Sequence, residues 1–218
     1  IVSSKLITKR ETIMRIKSLV AAMAAVASLA PIAAQAQAQE NPWMVRVRAV
    51  DLLFQNGQTS TVADLNVKAK NQVIPEFDVS YFFTKNIAAE LVLTYPQTVQ
   101  IDVGGDKLGT IKALPPSLVL QYHFTDFGAF KPYVGAGVNY TIFTSRNNLG
   151  NGAYTVDNSS FGAVGQVGAD YMFDKNWGLN VDLKYATMST NVTTAAGANA
   201  GKLTLNPWMP GIGIAYKF

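Results

Sequence analysis

From residue 43 onward apolar and polar positions alternate with a period of two, and a helical period of 3.6 is hard to find. Eight alternating segments emerge, at about 43–51, 73–83, 86–95, 114–124, 131–143, 160–173, 176–190 and 203–218. Each predicts a β-strand, and most reach the ~9–11 residues that a tilted membrane strand needs. The last of them places Ile212, Ile214, Tyr216 and Phe218 on one face and Gly211, Gly213, Ala215 and Lys217 on the other. Successive side chains of a strand point to opposite faces, so the apolar row must meet either a core or a lipid bilayer.

The joints between segments alternate in length. Thr84-Lys85, Thr125 to Phe130 and Asp174-Lys175 are short, whereas 52–72, 96–113, 144–159 and 191–202 are long and polar, the last of them with the composition of a mobile loop. Short turns at one end and long loops at the other are the pattern of outer-membrane barrels. A weak internal echo marks the short turns: Tyr81-Phe82-Phe83-Thr84-Lys85-Asn86 is repeated as Tyr171-Met172-Phe173-Asp174-Lys175-Asn176, with Tyr122-His123-Phe124-Thr125-Asp126 as a third version. Paired aromatics ahead of each short turn predict a girdle at a membrane interface.

Parity sorts the charges onto one face. Leu179, Val181, Leu183 and Tyr185 oppose Asn180, Asp182 and Lys184; Phe77, Val79 and Tyr81 oppose Glu76, Asp78 and Ser80; Val45, Val47 and Ala49 oppose Arg46 and Arg48. Alternation by itself leaves open a soluble sandwich or lipocalin with its apolar face inward. The front of the chain favours export. Met14 is followed by Arg15 and Lys17, an apolar stretch from Leu19 to Ala34 and two Ala-Gln-Ala sites, the make-up of a signal peptide. Residues 1–13 are therefore read as an upstream, non-native extension, 14–36 as the leader with cleavage near 36 or 38, and 37–218 as a single barrel domain.

If the apolar face meets lipid, the charges share a narrow lumen, because eight strands leave an interior that side chains nearly fill. Arg46, Arg48, Lys184 and Lys217 then confront Glu76, Asp78, Glu90, Asp170 and Asp182 in a polar plug. The formal charge of +4 does not survive removal of the leader: residues 1–36 hold five of the 18 basic side chains and one of the 14 acids, so 13 of each remain. A neutral chain without a basic cluster is not expected to bind nucleic acid. Zero cysteines exclude disulfide scaffolds and thiolate sites. The single histidine, His123, falls near a short turn, away from the outer leaflet where a lipid-modifying enzyme would work. No cofactor, metal site or catalytic residue is predicted, and the chain is not expected to be an enzyme.

Several ordered motifs resemble the outer membrane protein W family: Leu114-Pro115-Pro116, the run from Lys131 to Tyr140, the run from Gly165 to Tyr171, Asn206-Pro207-Trp208 and the terminal Ala215 to Phe218. The resemblance implies an all-β, eight-stranded antiparallel transmembrane barrel in the outer membrane of a Gram-negative bacterium, with short periplasmic turns and long extracellular loops. It implies a monomer that forms a narrow channel or binding site for small hydrophobic molecules, with a lateral exit to the bilayer. The alternative it carries is a closed barrel that serves as a receptor for phage or bacteriocin. By position, Val92, Thr94, Ser117, Val119, Thr141, Phe143 and Val164 would line the upper lumen, and Lys184 stands where the family can carry a bulky aromatic. Gly213, Tyr216 and Phe218 resemble the signal read by the outer-membrane assembly machinery. Expected partners are thus that machinery, outer-membrane lipid and small hydrophobic solutes.

Overall fold

The computed structural model describes residues 41–59, 66–146 and 149–218; the expected leader at 14–36 and the residues before it lie outside the described residues. In chain order the strands are β1 (Trp43–Leu52), β2 (Gly57–Thr59), β3 (Val67–Ala69), β4 (Gln72–Phe82), β5 (Ile87–Leu93), β6 (Gln97–Val103), β7 (Asp106–Leu114) and β8 (Ser117–His123). They continue with β9 (Phe130–Thr144), β10 (Tyr154–Val156), β11 (Ser159–Met172), β12 (Trp177–Ala186), β13 (Ser189–Thr194), β14 (Asn199–Thr204) and β15 (Trp208–Lys217).

Eight of these close a ring in the order β1-β4-β5-β8-β9-β11-β12-β15, all neighbours antiparallel. Closure falls between β15 and β1, where Tyr216 faces Val45 and Gly213 faces Arg48. A ring leaves no open edge, which hydrocarbon would not tolerate. Outward positions carry Val47, Phe77, Leu120, Val138, Val181, Ile212 and Ile214, all exposed on the barrel's exterior. Aromatics rim this band. At the short-turn end Trp43 meets Tyr81 at 4.9 Å, Tyr122 meets Phe124 at 5.0 Å and Trp177 meets Tyr216 at 4.7 Å. At the other end stand Tyr95, Tyr140, Phe161 and the pair Tyr185–Trp208. The eight-residue step from Trp208 to Tyr216 spans ~21 Å at ~3.4 Å per residue and a tilt of ~40°, close to the ~25 Å apolar band of such barrels.

The short turns explain the sequence echo. The Thr84 hydroxyl accepts from the backbone N–H of Ile87 at 3.0 Å, and the Asp174 carboxylate accepts from that of Trp177 at 2.7 Å. Asn86 then reaches the His123 carbonyl at 2.8 Å, and Asn176 reaches the Lys217 carbonyl at 2.7 Å. The same three-residue device therefore ties each hairpin to the end of the next strand.

The long connections depart from expectation. They are not simple polar loops: 96–113 folds as the β6–β7 hairpin across Gly104-Gly105, both at positive φ, and 191–202 contributes most of the β13–β14 hairpin instead of a mobile loop. Two walls rise above the ring, one of β3, β6 and β7 joined to β9, the other of β10, β13, β14 and β2. Between them Val67, Val99, Ile101, Ile111, Phe143, Val156, Val192 and Leu203 form a second apolar core. Short strands, most of three to seven residues, conceal this alternation in the sequence.

Candidate functional site

The lumen holds two tiers. The lower begins with Arg46 and Arg48 on β1, whose side chains extend across the lumen, the adjoining β15 offering only Gly211, Gly213 and Ala215 beside them. A Cβ at Gly213 would collide with the Val47 carbonyl and lie 2.7 Å from Arg48 Cγ. Arg46 grips Asp170 bidentately, Nε to Oδ1 at 3.0 Å and Nη2 to Oδ2 at 2.7 Å, and reaches Glu90 at 2.9 Å and Ser80 at 2.8 Å. Arg48 donates from Nε to Asp78 at 2.8 Å and lies within 3.3 Å of Glu76, Glu90 and Asp182. Lys184 caps the tier, its Nζ donating at 2.7 Å to both Glu76 and Asp182.

Neutral groups add further hydrogen bonds, although Asp78 Oδ1 is buried without a partner among the described residues. Tyr133 donates to Asp182 at 2.8 Å, Asn180 to Asp170 at 2.8 Å, and Gln166 to both Glu90 at 2.9 Å and Asp182 at 2.8 Å. Below them His123 bonds Gln121 at 3.0 Å between the rings of Phe82 and Tyr133. All eight charged groups of this tier are buried. In a low-dielectric lumen such charges persist only when paired and hydrogen-bonded, and each here has at least one such partner.

The structure thus brings together eight of the nine charges expected in the plug, Arg46, Arg48, Lys184, Glu76, Asp78, Glu90, Asp170 and Asp182. Lys217 is not among them, since its ammonium lies 5.7 Å from the centre of the Phe82 ring at the short-turn mouth. Sequence reasoning missed Tyr133, Gln166 and Asn180 as partners. Gly168 was the available signal for Tyr133, its cross-strand neighbour: a Cβ there would sit 2.5 Å from the phenol, so a glycine marks where the ring lies.

The upper tier is apolar. Val50, Leu52, Ile74, Val92, Val119, Val164, Ala186 and Met209 pack as one cluster with Phe54 against it. Above the Lys184–Glu76 pair they leave a cavity of about 30 Å³, also bounded by Val99, Ala113, Met188, Leu205 and Pro207. That is room for about two waters. Of the residues expected in the upper lumen, Val92, Thr94, Ser117 and Lys184 line this cavity. Val119 and Val164 support it from the cluster, Thr141 bonds Asn139 at 2.8 Å, and Phe143 belongs to the second core above. Leu205, Met188 and Pro207 were not foreseen as lining.

One side of the chamber wall is incompletely bonded. The β4–β5 ladder ends at the pair Phe77–Leu93, although β4 runs on to Gln72. Ile74 and Glu76 on one side of this seam, and Thr94, Gln97 and Val99 on the other, all line the cavity. Both edges of the seam therefore face the chamber.

Comparison with known proteins follows the same outline. Residues 41–218 match the family described as the OmpW family. An uncharacterised outer-membrane protein, y4mB, of Sinorhizobium fredii is 42% identical over 197 residues, 87% of this chain and 86% of the relative. Outer membrane protein W of Vibrio cholerae serotype O1 is 34% identical over 214 residues, 90% of this chain and 96% of the relative. The crystal structure of outer membrane protein OprG from Pseudomonas aeruginosa superposes with a TM-score of 0.67 at 25% identity, covering 84% of this chain and 99% of that one.

Proposed function

The chain belongs to the OmpW family of Gram-negative outer-membrane barrels, and from that premise we propose that it takes small hydrophobic molecules from the cell exterior into the apolar chamber. The carrying observation is the chamber itself, twelve apolar side chains and six polar ones closed below by the ion-paired plug. An apolar solute gains by leaving water for such a lining. It cannot continue downward, because Arg46, Arg48 and Lys184 would have to leave their carboxylates. Its way out is sideways, through the seam between β4 and the β5–β6 segment, where few backbone bonds oppose separation.

The cavity is smaller than any organic solute, so uptake requires side chains to yield. Met188 and Met209 suit that role, being unbranched and free to change rotamer. No chemical step is involved in this reading, and His123, bonded and stacked at the periplasmic end, serves the plug's packing. Uptake of a small apolar fluorophore by liposomes tests the proposal. Barrel-bearing vesicles should fill faster than empty ones, and Ala186→Trp, which fills the chamber, should abolish the gain; equal rates with and without the barrel would refute it.

A second reading draws on the ordered extracellular walls: they form a rigid surface on which a phage or bacteriocin could dock while the lumen stays closed. Deleting 144–159 should then abolish the phenotype, and Ala186→Trp should leave it intact.

A further inference from the structure

Charge outside the lumen is unevenly spread. The described ion pairs all lie within the plug. Four lysines, Lys68, Lys70, Lys107 and Lys112, stand exposed on the wall of β3, β6 and β7. Register puts them on its outer face. Val67, Ala69, Val99, Ile101, Ile111 and Ala113 point into the second core, so the alternate positions point away from it. Lys107 and Lys112 are an odd number of residues apart and would ordinarily face opposite ways. A bulge opposite Ile101 and Asp102 restores their common face, leaving Leu108 packed against the core.

Height along the wall is equally specific. Lys112 pairs with Thr144, four residues above the girdle residue Tyr140, which places it about 10 Å above the aromatic rim at ~3.4 Å per residue and ~40° tilt. Lys68 and Lys107 flank Asp102 about 10 Å higher by the same geometry, and the backbone of Lys70 bonds Gln100 between these rows. Asp102 is engaged by the Gln100 amide at 2.7 Å, and Asp106 sits at the hairpin tip. None of the four ammonium groups has a carboxylate within ion-pair distance among the described residues. Lysines do blunt exposed sheet edges, which would suit Lys68 and Lys70 on β3, but β7 lies between β6 and β9 and has no edge at the height of Lys112.

We propose that this face docks the phosphate groups of an anionic glycolipid of the outer leaflet. The surface is continuous with the lipid-facing belt through the pair Leu114–Ile142, so lipid packed on the belt brings its headgroup to the lysines. Lys112 lies within about a Debye length of that headgroup layer, and Lys70, Lys68 and Lys107 extend the positive face upward from it, so attraction needs no shaped pocket. The proposal does not depend on what the chamber admits.

The test uses the full chain in nonionic detergent with bisphosphorylated lipid A, counting lipid retained after a wash at about 150 mM salt by native mass spectrometry. Wild-type barrel should retain lipid A, and the combined K68Q, K70Q, K107Q and K112Q variant should retain about tenfold less. Lys85→Gln with Lys175→Gln, at the opposite end, should match wild type. Lipid A stripped of phosphate should bind wild type no better than it binds the fourfold variant. The paired variants K68Q/K70Q and K107Q/K112Q should each lose part of the retention, so the reading survives any misfolding of the fourfold change. Equal retention by wild type and variants, or indifference to phosphate, would overturn the proposal.

Discussion

Arg48 lies at the centre of the lumen, wholly surrounded by groups that are charged or hydrogen-bonding. Its neighbour Arg46 has the more regular geometry, and the consequence of its loss is easier to state. Arg46→Met leaves Asp170 buried without its ion-pair partner and Glu90 with Arg48 alone, and removal of one member of a buried pair costs about 3–5 kcal/mol. Urea unfolding of the refolded barrel, followed by its heat-modifiable gel mobility, should register that loss. Gly213→Val should also weaken the barrel, since the new side chain meets the Val47 backbone and displaces Arg48. This gives Gly213 a packing role that exists whether or not the assembly machinery reads it. The charged members of the plug were legible from parity alone, because a charge on the inward face of a narrow barrel has nowhere else to go. Their neutral partners were not: Asn180 meets Asp170 and Tyr133 meets Asp182 through strand neighbours and ring reach that alternation does not encode.

At the scale of elements, the Asp174 turn carries its own pH signature. Backbone N–H groups of Trp177 and Asn176 hold its carboxyl below its ordinary 3.8. A value lowered by folding means the bonds are present above the ordinary range and are lost as pH falls through the lowered one. The amide resonances of Asn176 and Trp177 should therefore titrate together below pH 3.8, and Asp174→Asn should remove that titration. The β6–β7 hairpin makes a second prediction. Ile111 is wholly buried in the upper core, and Ile111→Asp places an unpaired charge there at a cost of several kcal/mol. Trypsin should then cut at Lys107 and Lys112 while the ring strands stay protected; continued resistance at both sites would show that the hairpin is not held by that core. The eight ring strands were readable because each sustains alternation over a membrane thickness. The extracellular strands were not, because three-residue stretches such as β2, β3 and β10 offer too few alternations to stand out from a polar loop.

The whole molecule is a barrel in two halves of opposite character. Its lower half is an ion-paired network that fills the lumen, and its upper half is an apolar chamber roofed by a second core. The plug was anticipated as a unit, whereas the chamber's boundaries depended on Leu205, Met188 and Pro207, which enter only once β13, β14 and β15 are folded around it. The central claim is that a small apolar solute occupies this chamber and stops at Lys184. Intermolecular nuclear Overhauser effects measure that directly, using methyl-labelled barrel in deuterated detergent with protonated naphthalene. The account predicts cross-peaks from the solute to the methyls of Ile74, Val92, Leu205 and Met209, with line broadening at Met188. Cross-peaks confined to the outer-face methyls of Val47, Val181, Ile212 and Ile214 would contradict it.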